Sequence, residues 1–221
     1  MNEAPAGLPL HSAAGHAVEA VLDWFYPRHC YHCGRPLHEP RAHILCRECF
    51  RALRERRIGS PQCGVCGLPL TGEFVLEKRC LHCLSRERYF ERARAMFPYG
   101  GPMESILRSY KFHGDYFLGP RLLRGTLRRG WLPPDLTQPD AVLPVPLHPR
   151  RRRERGYDQS LLLAATLSDH LGAPLLEGSL IRTRYTRQQA RLSMRRREDN
   201  VRGAFDVERP GKVEGRRLLV V

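Results

Sequence analysis

No stretch of this sequence approaches the roughly 18 consecutive apolar residues that a membrane-crossing helix needs, which excludes insertion into a bilayer. Lysine is scarce as well: only Lys78, Lys111 and Lys212 occur. The positive charge therefore rests on arginine, whose planar fork suits phosphate oxygens. Residues 1–15 lack the basic start and apolar stretch of an export signal. That absence predicts a cytoplasmic location and argues against a disulfide framework, which needs an oxidising compartment. Ser160 and Ser193 have no obvious base partner, so nucleophilic serine chemistry has little support. Finally, no cysteine is left over from a paired pattern, and that pattern is the strongest signal in the chain.

All eight cysteines form C-x-x-C pairs: Cys30 with Cys33, Cys46 with Cys49, Cys63 with Cys66, and Cys80 with Cys83. Two thiolates separated by two residues grip one metal ion from a tight turn, and a tetrahedral zinc site needs two such turns. Four pairs make two closed sites, so the expectation is two structural zinc ions that hold the fold and do no catalysis. Thioredoxin-type redox chemistry would use a single C-x-x-C at a strand-to-helix turn. C-Y-H-C-G-R-P-L recurs 33 residues later as C-G-V-C-G-L-P-L, an internal repeat. The natural pairing lies within each copy, although spacing alone leaves a cross-braced pairing open. His29, His32 and His82 adjoin the ligands, but eight thiolates already fill two sites. The core of such a segment is too small to hold itself together, so without metal it should be largely unfolded.

The formal net charge is +14, and it is unevenly placed. Residues 1–95 hold 14 basic and 10 acidic groups, residues 96–221 hold 23 and 13. Eight thiolates on two zinc ions bring the first part to about neutral, so the basic surplus belongs to the second. It clusters in two runs there: Arg150, Arg151, Arg152, Arg153 and Arg155, then Arg182, Arg184, Arg187, Arg191, Arg195, Arg196, Arg197 and Arg202. Charge of this density attracts polyanions.

Organisation follows the same division. Residues 16–25 place Val18, Val21, Leu22 and Phe25 on one helical face, a packing helix ahead of the first knuckle. Beyond residue 93 the pattern turns to alternating strands and helices. A short strand is expected over 94–99, helices over 103–110 and 118–131, and a buried strand over 140–146 running into a loop. A helix over 159–171 is closed by Gly172, and residues 175–180 read as a turn leading into Ile181. Another buried parallel strand is expected over 216–221. This is the grammar of an open α/β sheet, in which ligands bind beyond the carboxyl ends of the strands. Residues 144–157 fall there, and the basic, weakly periodic residues 184–202 read as a mobile loop that closes over an anionic ligand.

At these residues the sequence resembles the ComF family of competence proteins, which pair a zinc ribbon with a phosphoribosyltransferase-like domain. The resemblance runs from about residue 24 to the end. It is carried by the knuckles with C-G-x-P-L, and by residues 99–114, similar to the family's Y-x-x-x-x-x-x-I-x-x-x-K-x-x-G element. Pro144-Val-Pro-Leu-His148 with Arg155-Gly-Tyr-Asp-Gln159 is the third segment. Arg182-x-x-x-Thr186-x-x-Gln189-x-x-Leu192-Ser193-x-x-x-Arg197-x-x-Asn200 is the fourth. Two departures stand out. Asp158 replaces the family's usual asparagine with a negative charge, and the two acidic residues and Thr-Thr-Gly loop that bind phosphoribosyl pyrophosphate (PRPP) are missing. The sequence reads as truncated before that loop.

The resemblance implies an α/β chain in three parts. A helical lead-in over 1–26 precedes a double zinc ribbon over 27–93. A type I phosphoribosyltransferase-like open parallel sheet then spans 94–221, incomplete at its C-terminus. It implies a role in the uptake and processing of internalised single-stranded DNA. The alternatives are an active phosphoribosyltransferase, and a zinc-ribbon adaptor docking to a protein of the uptake machinery or a helicase. PRPP and pyrophosphate contacts would come from Lys111, Arg155, Gly156, Tyr157, Gln159, Thr186, Gln189, Arg197 and Asn200. Magnesium with PRPP belongs only to a complete chain, and the chain as given is expected to be inactive as a transferase. DNA phosphates would meet Arg150, Arg151, Arg152, Arg153, Arg184, Arg187, Arg195 and Arg196, with Tyr157 and Tyr185 available to stack on bases.

Overall fold

The computed structural model describes residues 28–37, 44–70, 78–187, 189 and 192–221. The expected lead-in helix and Arg191 lie outside them.

The internal repeat is a repeat of structure. In the first copy the Cys30 amide donates to the Arg35 carbonyl (2.8 Å) and the Gly34 amide to Cys30 (2.9 Å), while His29 bridges Pro36. In the second, Cys63 donates to Leu68 (2.8 Å) and Gly67 to Cys63 (3.0 Å), while Gln62 bridges Pro69. Gly34 and Gly67 have φ of 72° and 71°, the left-handed region that glycine enters at no steric cost. At Gly67 a side chain is also barred by space, because a Cβ would sit 2.6 Å from the Ala93 carbonyl oxygen. Each second knuckle opens a helix: Cys46 caps α1 (Arg47–Glu55) and Cys80 caps α2 (Leu81–Leu84).

The first ribbon shares its core with the rest of the chain. Cys30, Leu45, Cys49 and Leu53 pack with Phe97, Met103, Ile106, Tyr110 and Leu118. Phe50 of α1 stacks on Trp131 at 6.4 Å, and Phe97 meets the same ring edge-on at 6.0 Å. Among the described residues the second ribbon has an apolar cluster of its own, Cys63, Cys80 and Cys83 with Cys66, Val65 and Leu70.

α3 (Pro102–Phe112) starts with proline in its first turn, where the missing N–H is not needed. α4 (Leu118–Leu127) crosses it at Gly119, where a Cβ would lie 2.5 Å from the Tyr110 ring. The expected helix over 118–131 stops at Leu127, because Gly130 turns left-handed (φ 65°) and the Trp131 amide returns to the Thr126 carbonyl. That reversal delivers Trp131 to the core. The strand expected over 94–99 does not form: Met96 accepts a single bond from Ile58, and Arg94 is drawn to the second ribbon.

β1 (Ala141–Leu143) is wholly buried and pairs in parallel with β4 (Leu218–Val220), in the register Ala141 to Leu218 and Leu143 to Val220. On its other edge Val142 bridges Leu175, also in parallel. Alternate side chains serve opposite faces: Val142 and Leu219 pack with Leu123, Leu127, Ala164 and Leu167, whereas Ala141, Leu143 and Leu218 pack with Leu176 and Val213. The chain leaving β1 is not all loop as expected. The arginine run forms α5 (Pro149–Arg155), capped by the His148 ring and stopped by left-handed Gly156 (φ 80°). α6 (Gln159–Leu171) follows, ending at Gly172 as its sequence requires.

β2 (Leu180–Arg182) pairs antiparallel with β3 (Phe205–Val207). The basic segment 184–202 is an insertion in this hairpin and carries α7 (Met194–Val201). A four-residue helix, α8 (Pro210–Val213), leads from β3 to β4. The architecture is mixed α/β with a small parallel sheet, behind a ribbon with two four-cysteine units.

Candidate metal centres and a candidate polyanion cleft

The sulfurs of Cys30, Cys33, Cys46 and Cys49 lie within 4.8 Å of one another, as do those of Cys63, Cys66, Cys80 and Cys83. Pairing is therefore within each copy of the repeat. A zinc–sulfur bond of about 2.3 Å gives a tetrahedral sulfur–sulfur edge of about 3.8 Å. Cys33 and Cys46 stand 3.7 Å apart and Cys66 and Cys80 3.6 Å, so both clusters fit that ion. Backbone amides turn inward as well, with the Cys80 N–H 3.4 Å from the Cys63 sulfur.

Electrostatics points the same way. Burial opposes the Cys30 thiolate, yet amides of Cys33, Cys46 and His32 outweigh it and bring the thiol down to about 7. Burial likewise opposes the Cys63 thiolate, and amides of Cys66, Cys80 and Val65 bring it to about 6. In the same clusters, burial and hydrogen bonds from neighbouring thiols push Cys49 up, and Cys66 up to about 12. Four thiols this close cannot all ionise alone. A dication that takes all four sulfurs removes the conflict, and with four protein ligands it has no open position for a substrate.

The second site lies beyond the carboxyl end of β1. A cleft of about 330 Å³ is walled by the end of α3, by α5 and by the start of the inserted segment. Lys111, Arg151, Arg155, Arg182 and Arg187 contribute five cations to its lining, no carboxylate is among its described lining residues, and Glu154 stands just behind, 3.9 Å from Arg151. Burial lowers the Arg155 pKa, and the Arg151 charge lowers it further. Arg182 is lowered by burial and by Arg151, Arg155 and Arg184. Lys111 is exposed as a residue, but crowding around its ammonium and the Arg155 charge hold it below the usual lysine range. The buried Nε of Arg182 has no hydrogen-bond partner. Like charges gathered in this way are unfavourable until an anion joins them. Magnesium requires carboxylate or similar oxygen ligands, and the cleft lining does not fit a resident magnesium ion.

Among the residues read from the sequence, Lys111, Arg155, Thr186 and Gln189 meet in this cleft, together with Arg151 and Arg187. Gly156 caps α5. Gln159 is buried at the start of α6 and accepts from Arg155 through its side chain (2.8 Å). Arg197 and Asn200 shape the inserted segment: the Arg197 Nε donates to Gln189 and Leu192 carbonyls (both 3.0 Å), and Asn200 bonds the Arg187 backbone both ways (3.0 and 3.2 Å). Arg184 donates to the Arg202 carbonyl (2.6 Å), while Arg152, Arg153, Arg195 and Arg196 are exposed.

Of the two tyrosines expected to stack, Tyr157 is held between other rings, whereas Tyr185 is 39% exposed and lines the cleft. The Tyr157 hydroxyl donates to the Tyr110 carbonyl and its ring lies between Tyr110 and Tyr116. The Tyr185 ring lies beneath Arg150 (4.8 Å) and Arg151 (5.0 Å), with His148 at its edge. Asp158 does not itself line the cleft, although its charge acts on Arg155: its carboxylate accepts from the Leu147 amide (2.9 Å) and the Leu161 amide (3.2 Å), bracing the loop and capping α6. Phe112, Leu147, His148 and Arg182 also line the cleft; none was named as an individual contact from the sequence, although all four lie within the matched segments.

The double zinc ribbon domain family matches residues 21–84. The chain is similar to competence protein F of Haemophilus influenzae, 30% identical over 186 residues that cover 83% of this chain and 78% of that protein. It is also similar to DNA utilization protein YhgH of Shigella flexneri and of Escherichia coli, each 32% identical over 199 residues, covering 88% of this chain and 83% of theirs. No solved structure matches the chain significantly. No helix among the described residues is long and apolar enough to cross a membrane.

Proposed function

The chain belongs to the family of competence protein F, the ComF family, and from that premise we propose that it holds single-stranded DNA brought into the cytoplasm during DNA uptake. The observation that carries this reading is the cleft: Lys111, Arg151, Arg155, Arg182 and Arg187 converge there, with no carboxylate among the described lining residues. A surface that concentrates guanidinium groups recognises phosphate through charge-assisted, often bidentate hydrogen bonds. The exposed arginines of α5 and α7 extend the positive field away from the cleft, as a chain of phosphates requires. The names competence protein F and DNA utilization protein, borne by relatives of most of this chain's length, support the same class of ligand.

A second reading is favoured by the cleft's place in the fold. Residues 94–221 resemble a phosphoribosyltransferase, and a basic cleft beyond the end of a strand in a parallel sheet suits the pyrophosphate of PRPP. Magnesium would enter only on the ligand's own phosphates.

A fluorescence titration of the full chain with labelled oligo-dT, between about 50 and 200 mM salt, tests the first reading. Each phosphate neutralised on a single strand contributes a slope of about −0.7 in log K against log salt, so the five cations of the cleft give about −3.5. Affinity that is flat across that range sinks the proposal. Excess PRPP in the same titration separates the readings, because displacement of the DNA places both ligands in one cleft.

A further inference from the structure

The turn between α3 and α4 exposes three aromatic rings within six residues. Phe112 and Tyr116 are each 59% exposed and Phe117 40%. Clustered apolar surface of this kind marks a contact site more often than chance. Phe112 lines the basic cleft beside Lys111, and the Arg155 guanidinium sits 5.4 Å from its ring centre. Tyr116 meets Tyr157 edge-to-face at 6.0 Å and Phe117 at 6.1 Å, and Phe117 meets Tyr31 of the first ribbon at 6.4 Å. These edge contacts brace the rings from below and leave ring surface open to water. The aromatic row thus begins inside the phosphate cleft and ends against the ribbon.

We infer that Phe112, Tyr116 and Phe117 form a stacking platform for unpaired nucleobases whose phosphates occupy the Lys111–Arg155 end of the cleft. The inference rests on the reading of that cleft as a polyanion site. Base–aromatic stacking needs a base with a free face, and every base has one when unpaired. A duplex keeps its base faces stacked on one another, so the platform selects single strands, whereas the cations alone would take either form. Arg155 links the two functions: it serves the phosphate and lies over the first ring. Sequence preference is expected to be slight, because stacking reads the presence of a base more than its identity.

The test compares oligo-dT, the same oligomer with abasic sites, and a duplex of equal length, each titrated with the full chain. Stacking contributes about 1–3 kcal/mol per base, so abasic substitution is expected to weaken binding by roughly 5- to 150-fold while the salt slope stays unchanged. Tyr116→Ala, which lies outside the cleft lining, is expected to lose affinity for oligo-dT and to match the wild type on the abasic oligomer. Equal affinity of the wild type for oligo-dT and its abasic form overturns the platform and leaves the phosphate cleft standing. No salt-dependent binding to any of the three polymers overturns the cleft reading as well. The abasic comparison uses wild-type protein alone, so a variant that fails to fold does not spoil the test.

Discussion

Removing the guanidinium of Arg94 should release the second zinc ion and spare the first. This side chain is 8% exposed and belongs, by sequence, to the segment that follows the ribbons. It donates to the carbonyls of Ala93 (2.9 Å) and Gly64 (3.0 Å), makes longer contacts to Cys63 (3.4 Å) and Val65 (3.5 Å), and pairs with Asp135. The knuckle that carries Cys63 and Cys66 is thereby tied by this side chain, beside the Ala93 amide's bond to the Val65 carbonyl (2.7 Å). Breaking a buried ion pair from one side costs about 3–5 kcal/mol, and the Asp135 side chain, 23% exposed, recovers part of that from water. A net cost of about 3 kcal/mol, local to the second ribbon, weakens its metal binding by roughly two orders of magnitude. The assay is zinc transfer to a chromogenic chelator, followed for Arg94→Met and the wild type. The variant should release half of its zinc early and the other half at the wild-type rate. Arg94→Lys should restore little, since an ammonium is a point charge and cannot serve several carbonyls and a carboxylate in a fixed fork. A variant whose two ions leave together at the wild-type rate would refute the role given to this residue.

Two further outcomes follow from the sites. Cys63→Ser should reduce bound zinc from two equivalents to one by elemental analysis and leave Cys66, Cys80 and Cys83 as the thiols newly open to alkylation, because the clusters pair within the repeat; alkylation of a pair from the first copy would point to a cross-braced arrangement. The Lys111 ammonium is held below its ordinary pKa by burial and by Arg155, and a bound phosphate opposes both effects. Polyanion affinity should therefore be full at neutral pH and fall as pH rises through the lowered Lys111 value, and Lys111→Arg should flatten that alkaline limb in a pH-dependent titration.

What could be read from the sequence divides along physical lines. The four knuckles were legible because metal binding sets both residue type and spacing, and the helix Gln159–Leu171 because its apolar residues repeat and Gly172 ends it. α5 was hidden: its seven residues are proline, glutamate and arginines with no apolar period, and its shape comes from the His148 cap, Pro149 and Gly156. The missing strand at 94–99 and the early end of α4 share a cause, since Arg94 and Trp131 leave their local patterns to serve distant partners. The cleft was half legible. Lys111, Arg155, Thr186 and Gln189 sit in recognisable segments and were named as contacts, but only the fold adds Arg151 and Arg182 to the same wall. Arg197 and Asn200 were equally visible in sequence and turn out to shape the backbone around the cleft.

The salt dependence of oligo-dT binding by the wild type and by Arg155→Gln, both confirmed to hold two zinc ions, tests most directly whether the cleft takes DNA phosphates. Loss of one phosphate-neutralising cation should weaken binding and make the slope of log K against log salt shallower by about 0.7. An unchanged slope, with unchanged affinity, would contradict the assignment of the cleft to DNA phosphates.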